Sequence, residues 1–234
     1  MKSVAILQSN YIPWKGYFDL IAKVDEFIFY DEVLYTKQDW RNRNKIKTRQ
    51  GSQWLTIPVM AKDRIGSAVL ISAVAVANQD WCRVHWERLC QSYEKAPFFK
   101  QFEKEIGALY EQSRMIDRLC EINHLFTAMI CNILGIKTTL SHSKDFELAE
   151  DRNLRLVNLV KAVGGDHYLS GPAAKDYLNE ELFHEHGIDV EWMDYSNYSE
   201  YPQLFPPFEH GVTVLDLLFN TGTEAQKYMK YVCK

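Results

Sequence analysis

Val4-Ala5-Ile6-Leu7-Gln8-Ser9-Asn10-Tyr11-Ile12-Pro13-Trp14-Lys15-Gly16-Tyr17-Phe18 is the stretch whose reading decides the fold. Its apolar start reads as a buried strand that runs into the polar turn Gln8-Ser9-Asn10. Pro13 then opens a helix, because the first helical position needs no backbone donor. Tyr17, Leu20, Ile21 and Val24 recur at helical spacing and form one apolar face. Residues 27–30 read as a second strand ending in Asp31-Glu32. A strand, a short helix and a strand in this order predict a parallel sheet covered by helices. Ligands of such sheets gather outside the carboxyl ends of the strands, so residues 8–17 are the first place to look for a site.

Working outward, Ile46 and residues 54–59 predict a hairpin across Gln50-Gly51-Ser52, with a further turn at Asp63-Arg64-Ile65-Gly66 and a strand over 70–77. Three successive helices follow, at 82–94, 98–109 and 116–134, and predict a helical subdomain over about 80–135. The last third returns to α/β: a strand near 138–140, a helix over 152–163 capped by Asp151, strands at 167–170 and 190–195, and a helix over 214–219. The expected architecture is a single α/β domain over 1–234, with a Rossmann-like sheet and a helical cap or insertion. A chain of 234 residues is long enough to bury a real core.

With 47% hydrophobic and 25% charged residues the composition is that of an ordinary globular protein. The net charge of -4 argues against general nucleic-acid binding, which needs a basic field. Cys82, Cys90, Cys120, Cys131 and Cys233 show no metal-knuckle or CxxC spacing and read as reduced thiols of a cytosolic protein. Asn10, Pro13 and Asp19 interrupt any signal-peptide core. The longest apolar run, at 68–77, is half of what a membrane span requires, so no membrane insertion is expected.

Four groups of residues carry candidate chemistry. Gln8, Asn10, Tyr11, Trp14, Gly16 and Tyr17 converge on the first strand end. Free N–H groups there favour an anion, Gly16 permits close approach, and Trp14 or Tyr17 offers a face for a base or sugar ring. The bland alternative is a packed aromatic corner. Arg41, Arg43, Lys45 and Lys47 alternate, so an extended backbone puts them on one face suited to phosphate or carboxylate, with Lys37 nearby and Asn42 and Asn44 opposite. A solvated edge that blocks sheet aggregation is the alternative. Ser141-His142-Ser143 with Asp145, Arg152 and Arg155 forms a polar loop and helix start, and the two arginines, three apart, are able to face one ligand. Finally Tyr168-Leu169-Ser170-Gly171-Pro172 ends a strand in a tight turn. His85 opens a helix as a cap, interface or catalytic residue. His184 and His186 lack the spacing of a zinc helix, so no metal site is expected. Asp216 and Asn220, four apart in an apolar helix, need partners if buried.

Several of these segments together resemble the WbqC-like family: Gln8 with Tyr11-Ile12-Pro13-Trp14-Lys15-Gly16-Tyr17-Phe18, Asp31, Tyr35 with Lys37, and Trp40-Arg41-Asn42-Arg43-Asn44-Lys45-Ile46-Lys47. Trp54-Leu55-Thr56-Ile57-Pro58-Val59, His85-Trp86, Tyr93, Pro97-Phe98-Phe99, Tyr168-Leu169-Ser170-Gly171 and Asp216-Leu217-Leu218-Phe219-Asn220 extend the match along the chain. Ser9-Asn10 departs from the proline expected near Gln8. The resemblance implies a cytosolic protein linked to surface-polysaccharide or O-antigen gene sets, with transfer of an amino-acid or acyl group onto an amino sugar among the roles proposed for the family. More distantly, Trp14-Lys15-Gly16-Tyr17 is similar to an altered His-x-Gly-His signature of nucleotidylyltransferases, with both histidines replaced.

The resulting expectation is a transferase for a nucleotide-linked amino sugar. Arg41, Arg43 and Lys47, with Lys37, hold phosphate, and Trp14 or Tyr17 stacks on a ring. Gln8, Asn10, Tyr11, Asn42, Asp31 and Ser170 place polar groups, His142 or His85 is the general base, and Asp31 stands with them as a catalytic candidate. An ATP-dependent adenylating ligase, with nucleotide or ATP and Mg2+ as cofactor, is one alternative; a noncatalytic nucleotide-sugar-binding or scaffold protein is the other. Tyr195, Tyr198, Tyr201 and Phe205 are expected to build an interface, such as that of a homodimer, or a pocket lid.

Overall fold

Strand β1 (Ser3–Leu7) sits in the middle of a five-stranded parallel sheet with β2 (Glu26–Phe29), β7 (Thr139–His142), β8 (His167–Ser170) and β9 (Asp189–Trp192), in the order β7-β2-β1-β8-β9. This computed structural model describes residues 1–62 and 66–232; Asp63, Arg64 and Ile65 of the expected turn and Cys233 lie outside the described residues. Numbered by appearance, the five parallel strands run 3-2-1-4-5, a Rossmann-like order that reverses direction between β1 and β8.

Alternation along each strand builds two different cores. Val4, Ile6, Ile28 and Tyr168 face α5 (Arg152–Ala162) and α6 (Glu180–Glu185) in a cluster with Leu156, Val160 and Phe183. Ala5, Phe27, Phe29 and Leu169 face the other way. They join one larger core with α1 (Lys15–Ala22), α2 (Asp80–Tyr93), α3 (Phe99–Ser113), α4 (Leu119–Leu134) and α7 (Val214–Thr221). The three middle helices therefore share their apolar interior with the sheet. Helix α5 starts as its sequence suggests: Asp151 Oδ1 accepts the Leu154 N–H at 2.8 Å, a cap that contributes about 1 kcal/mol.

A hairpin of β3 (Arg43–Thr48) and β4 (Gly51–Thr56) and a short antiparallel pair of β5 (Val59–Met60) and β6 (Ala75–Val76) cross the large core. The hairpin turns at Arg49-Gln50, one residue earlier than expected, because Thr48 pairs with Gly51 at positive φ. The single strand expected over 70–77 is instead a 3-10 turn, Ile71–Ala73, followed by β6. Helix α1 begins at Lys15, with Trp14 as its N-cap and Pro13 outside it. Among the described residues no helix is long and apolar enough to cross a membrane.

Candidate functional site

The strand-order reversal leaves a cleft of about 650 Å3 outside the carboxyl ends of β1 and β8. Ile6, Gln8, Tyr30, Glu32, Tyr168 and Ser170 line it from the sheet. Ile6 in β1 and Tyr168 and Ser170 in β8 share this face by the two-residue period of their strands. The opposite wall is the first turn of α5, where Arg152 and Arg155 flank the opening. Arg155 is braced by Nε donation to Ala149 O at 2.6 Å, and its Nη1 lies 3.4 Å from Tyr30 Oη. The Arg152 guanidinium lies over the Tyr177 ring, 3.6 Å from its centre. Leu34 and Leu70, both exposed, form an apolar lip.

A second polar group occupies the other face of the same sheet edge. Asp31, almost fully buried, accepts the Ser9 N–H at 2.9 Å through Oδ1 and faces His124 Nε2 at 2.7 Å through Oδ2. The His124 ring lies 4.5 Å from that of His142, and both stack near Phe29. Burial, then the neighbouring His124, holds the His142 imidazole below its ordinary pKa, so it is neutral at pH 7. Its Nδ1 is buried with no hydrogen-bond partner among the described residues. The two faces meet at the rim, where Ser143 Oγ donates to Glu32, a wall of the cleft. They meet again at Gln8, whose Oε1 accepts from Arg41 Nη2. Arg41 Nη1 donates to Asn10 Oδ1 as well, and Arg41 pairs with Asp39 at 3.4 Å.

The sequence candidates fall into three sets. Gln8 and Ser170 line the cleft, and Asp31 and His142 join the polar group on the opposite face. Arg41, Arg43, Lys45 and Lys47 do not converge. Arg41 turns to Gln8 and Asn10, Arg43 lies 4.2 Å from the Trp54 ring centre with Lys45 beside the same ring, and buried Lys47 donates to Pro207 O. Lys37 is exposed and lines neither this cleft nor the polar group. Asn42 is buried and donates to Ile57 O at 2.8 Å.

The third set is interior. Tyr11 is fully buried, and its hydroxyl bonds His85 Nδ1 at 2.9 Å and Tyr110 Oη at 2.8 Å. Burial pushes His85 down to about 3, against an opposing hydrogen bond to the Thr56 backbone, so this is a neutral core histidine. Tyr17 is in the core, donating to Gln8 O at 3.1 Å. Trp14 stands against Tyr195 and Tyr198, ring centres 5.4 and 5.5 Å away. Gly16 makes room for the Trp14 indole, since a Cβ there would lie 2.3 Å from it. Tyr201, expected at an interface or lid, is buried and donates to Asp216 Oδ1 at 2.7 Å.

Two participants had no mark in the sequence. His124 lies mid-helix in α4, and Asn123 beside it donates to Ser9 Oγ and Arg41 O at 3.2 and 2.9 Å. Their only signal is a pair of adjacent polar residues in a largely apolar helix that also carries Glu121, Thr127 and Asn132.

The model of the WbqC-like protein family matches residues 8–228, and the chain belongs to that family. A curated relative, the "Uncharacterized protein Rv1507c" of Mycobacterium tuberculosis (strain ATCC 25618 / H37Rv), is 46% identical over 231 residues, covering 99% of each chain. No solved structure matches the chain.

Proposed function

We propose that the protein is a cytosolic transferase that moves an amino-acid or acyl group onto a nucleotide-linked amino sugar in surface-polysaccharide biosynthesis. The observation that carries this reading is the cleft at the strand-order reversal with Arg152 and Arg155 on its wall. Nucleotide ligands favour that crevice in open parallel sheets, and guanidinium forks match phosphate oxygens. In this reading the diphosphate lies against the two arginines, the base against Leu34 and Leu70, and Gln8 and Ser170 orient the sugar. The polysaccharide setting is what family membership implies, and the free thiols Cys82, Cys90, Cys120 and Cys131 support a reducing compartment.

The proposed general base is His142, which lies on the face of the sheet opposite the cleft and which the sugar amine reaches only over the rim where Ser143 meets Glu32. The sugar amine attacks the carbonyl carbon of the activated acyl group, a C–N bond forms, and the amine proton passes to the imidazole. The leaving group departs with its bonding pair. A neutral imidazole suits this task at pH 7, and the Asp31–His124 pair fixes the ring beside it.

Isothermal titration with a panel of uridine and thymidine diphosphate sugars tests the reading. The double variant Arg152→Ala/Arg155→Ala should bind about 10–100-fold more weakly than wild type. The variant Arg43→Ala should bind as wild type does. Equal affinity in wild type and the Arg152/Arg155 variant would overturn the phosphate role. Binding without turnover by any acyl donor would favour a noncatalytic nucleotide-sugar-binding protein.

A further inference from the structure

We propose that a second pocket, walled by Trp14 and Trp40, is a binding subsite for a single pyranose ring. Asn10, Pro13, Asn44 and His210 complete it, and its volume is about 300 Å3. That is the lower end of ligand-site sizes, enough for one sugar ring and too little for a nucleotide. Trp40 is 42% exposed and Trp54, 5.4 Å away ring to ring, is 38% exposed. Trp40 lines the pocket, while Trp54, whose ring carries Arg43 and Lys45, lies outside the lining. An indole offers a flat apolar face with a polar edge, the complement of a pyranose with its C–H face and hydroxyl rim. Asn10 and the exposed imidazole of His210 supply polar groups at that rim.

The pocket is built, not incidental. Trp40 O accepts the Tyr11 N–H at 3.0 Å, which ties that indole's backbone to the turn after β1. Within the same turn Ile12 is held at φ 36°, a conformation that β-branched residues rarely adopt. Asn44 holds it there, donating to Tyr11 O at 3.1 Å and Ile12 O at 2.9 Å. Strain kept by such bonds clusters at binding sites. Asn10 is also one end of the Arg41 bridge, whose other end is Gln8 in the large cleft. A ring in the small pocket is thus one guanidinium away from the larger site. The ring-binding does not rest on the transferase reading, in which the acceptor sugar lies in the large cleft.

The test is a titration of the full chain, 15N-labelled at tryptophan, with the methyl glycoside of N-acetylglucosamine and, separately, with adenosine. The glycoside should shift the indole N–H resonances of Trp14 and Trp40 saturably. Trp40→Ala should weaken it about tenfold or more, as loss of an aromatic anchor does, and Trp40→Phe should restore most of the affinity. Arg152→Ala/Arg155→Ala should leave glycoside binding unchanged, so that failure of the nucleotide reading is seen separately. Three results would overturn the proposal: no glycoside-induced shift at Trp14 and Trp40, shifts there with adenosine alone, or unchanged glycoside affinity in Trp40→Ala.

Discussion

The cleft beside β8 and the interior around α7 are both rich in polar side chains, yet they use them in opposite ways. At α7, buried Asp216 accepts from Tyr93 at 2.8 Å, Tyr201 at 2.7 Å and Gln203 at 2.9 Å, and the Tyr93 hydroxyl in turn accepts the Lys47 N–H at 2.8 Å. Each group is spent on another part of the chain. In the cleft, Arg152 is solvent-exposed and rests on one aromatic ring, and Tyr168 and Ser170 face the cavity beside Gln8 and Glu32, which Arg41 and Ser143 hold from the other face. Polar residues closed on one another build the fold. Polar residues left facing a cavity are available for a ligand. A motif rich in Tyr, Asp and Lys does not announce which of the two it serves.

The contrast is broken most severely at its closed end. Asp216→Ala strands two buried hydroxyl donors, Tyr93 and Tyr201, and one bond of half-buried Gln203, and urea unfolding should show a loss of about 3–5 kcal/mol. Next comes the pH dependence of the other closed network, Tyr11–His85–Tyr110. The folded pKa of His85, about 3, lies below its ordinary value of 6.5. The unfolded chain therefore takes up the proton first, and stability is full above about pH 6.5 and falls as pH drops toward 3. Between about pH 6.5 and 5 this group alone should remove about 2 kcal/mol, and His85→Gln should flatten that slope in urea midpoints.

Gly16→Ala should cost about 1–2 kcal/mol, because the new Cβ would collide with the Trp14 indole at 2.3 Å. Thermal melts and the Trp14 indole resonance report it. At the open end the effect on folding should nearly vanish. Arg152→Ala should stay within about 0.5 kcal/mol of wild type in stability, even as nucleotide-sugar affinity drops. A large stability loss there would mean that Arg152 belongs to the closed class.

Much of the sheet was readable because each parallel strand is a short apolar run with its own stop signal. Leu7 gives way to Gln8, and Ser170 to Gly171-Pro172. Asp151 marked the start of α5 and Gly135 the end of α4, which the structure places in the left-handed region. Helix α6 was missed, since Glu180–Glu185 is only 6 residues long and presents one buried residue, Phe183. Of the alternating Arg41, Arg43, Lys45 and Lys47, the last three lie in one strand, while Arg41 precedes it and turns to Gln8 and Asn10. Trp54 is the cross-strand partner of Lys45 within the same hairpin, but the alternation could not signal that Lys47 reaches Pro207, which comes from a distant segment. For the same reason Arg152 and Arg155 were legible as a pair, but their position opposite Gln8 depends on a strand order no local pattern encodes. His124 was invisible, because its partner Asp31 lies 93 residues away.

The placement of β1 between β2 and β8 also has a consequence during synthesis. Its pairing with β2 is available almost at once, through Val4↔Glu26 and its neighbours. The strand that covers its other edge, His167–Ser170, leaves the ribosome far later. At ~5–20 residues per second that delay is roughly 7–28 s. Throughout it the central strand presents bare N–H and C=O groups on one side. The nascent chain is therefore most vulnerable to edge pairing and to chaperone capture before β8 is made, and a ribosome stalled just short of residue 167 should hold the most aggregation-prone form of this protein.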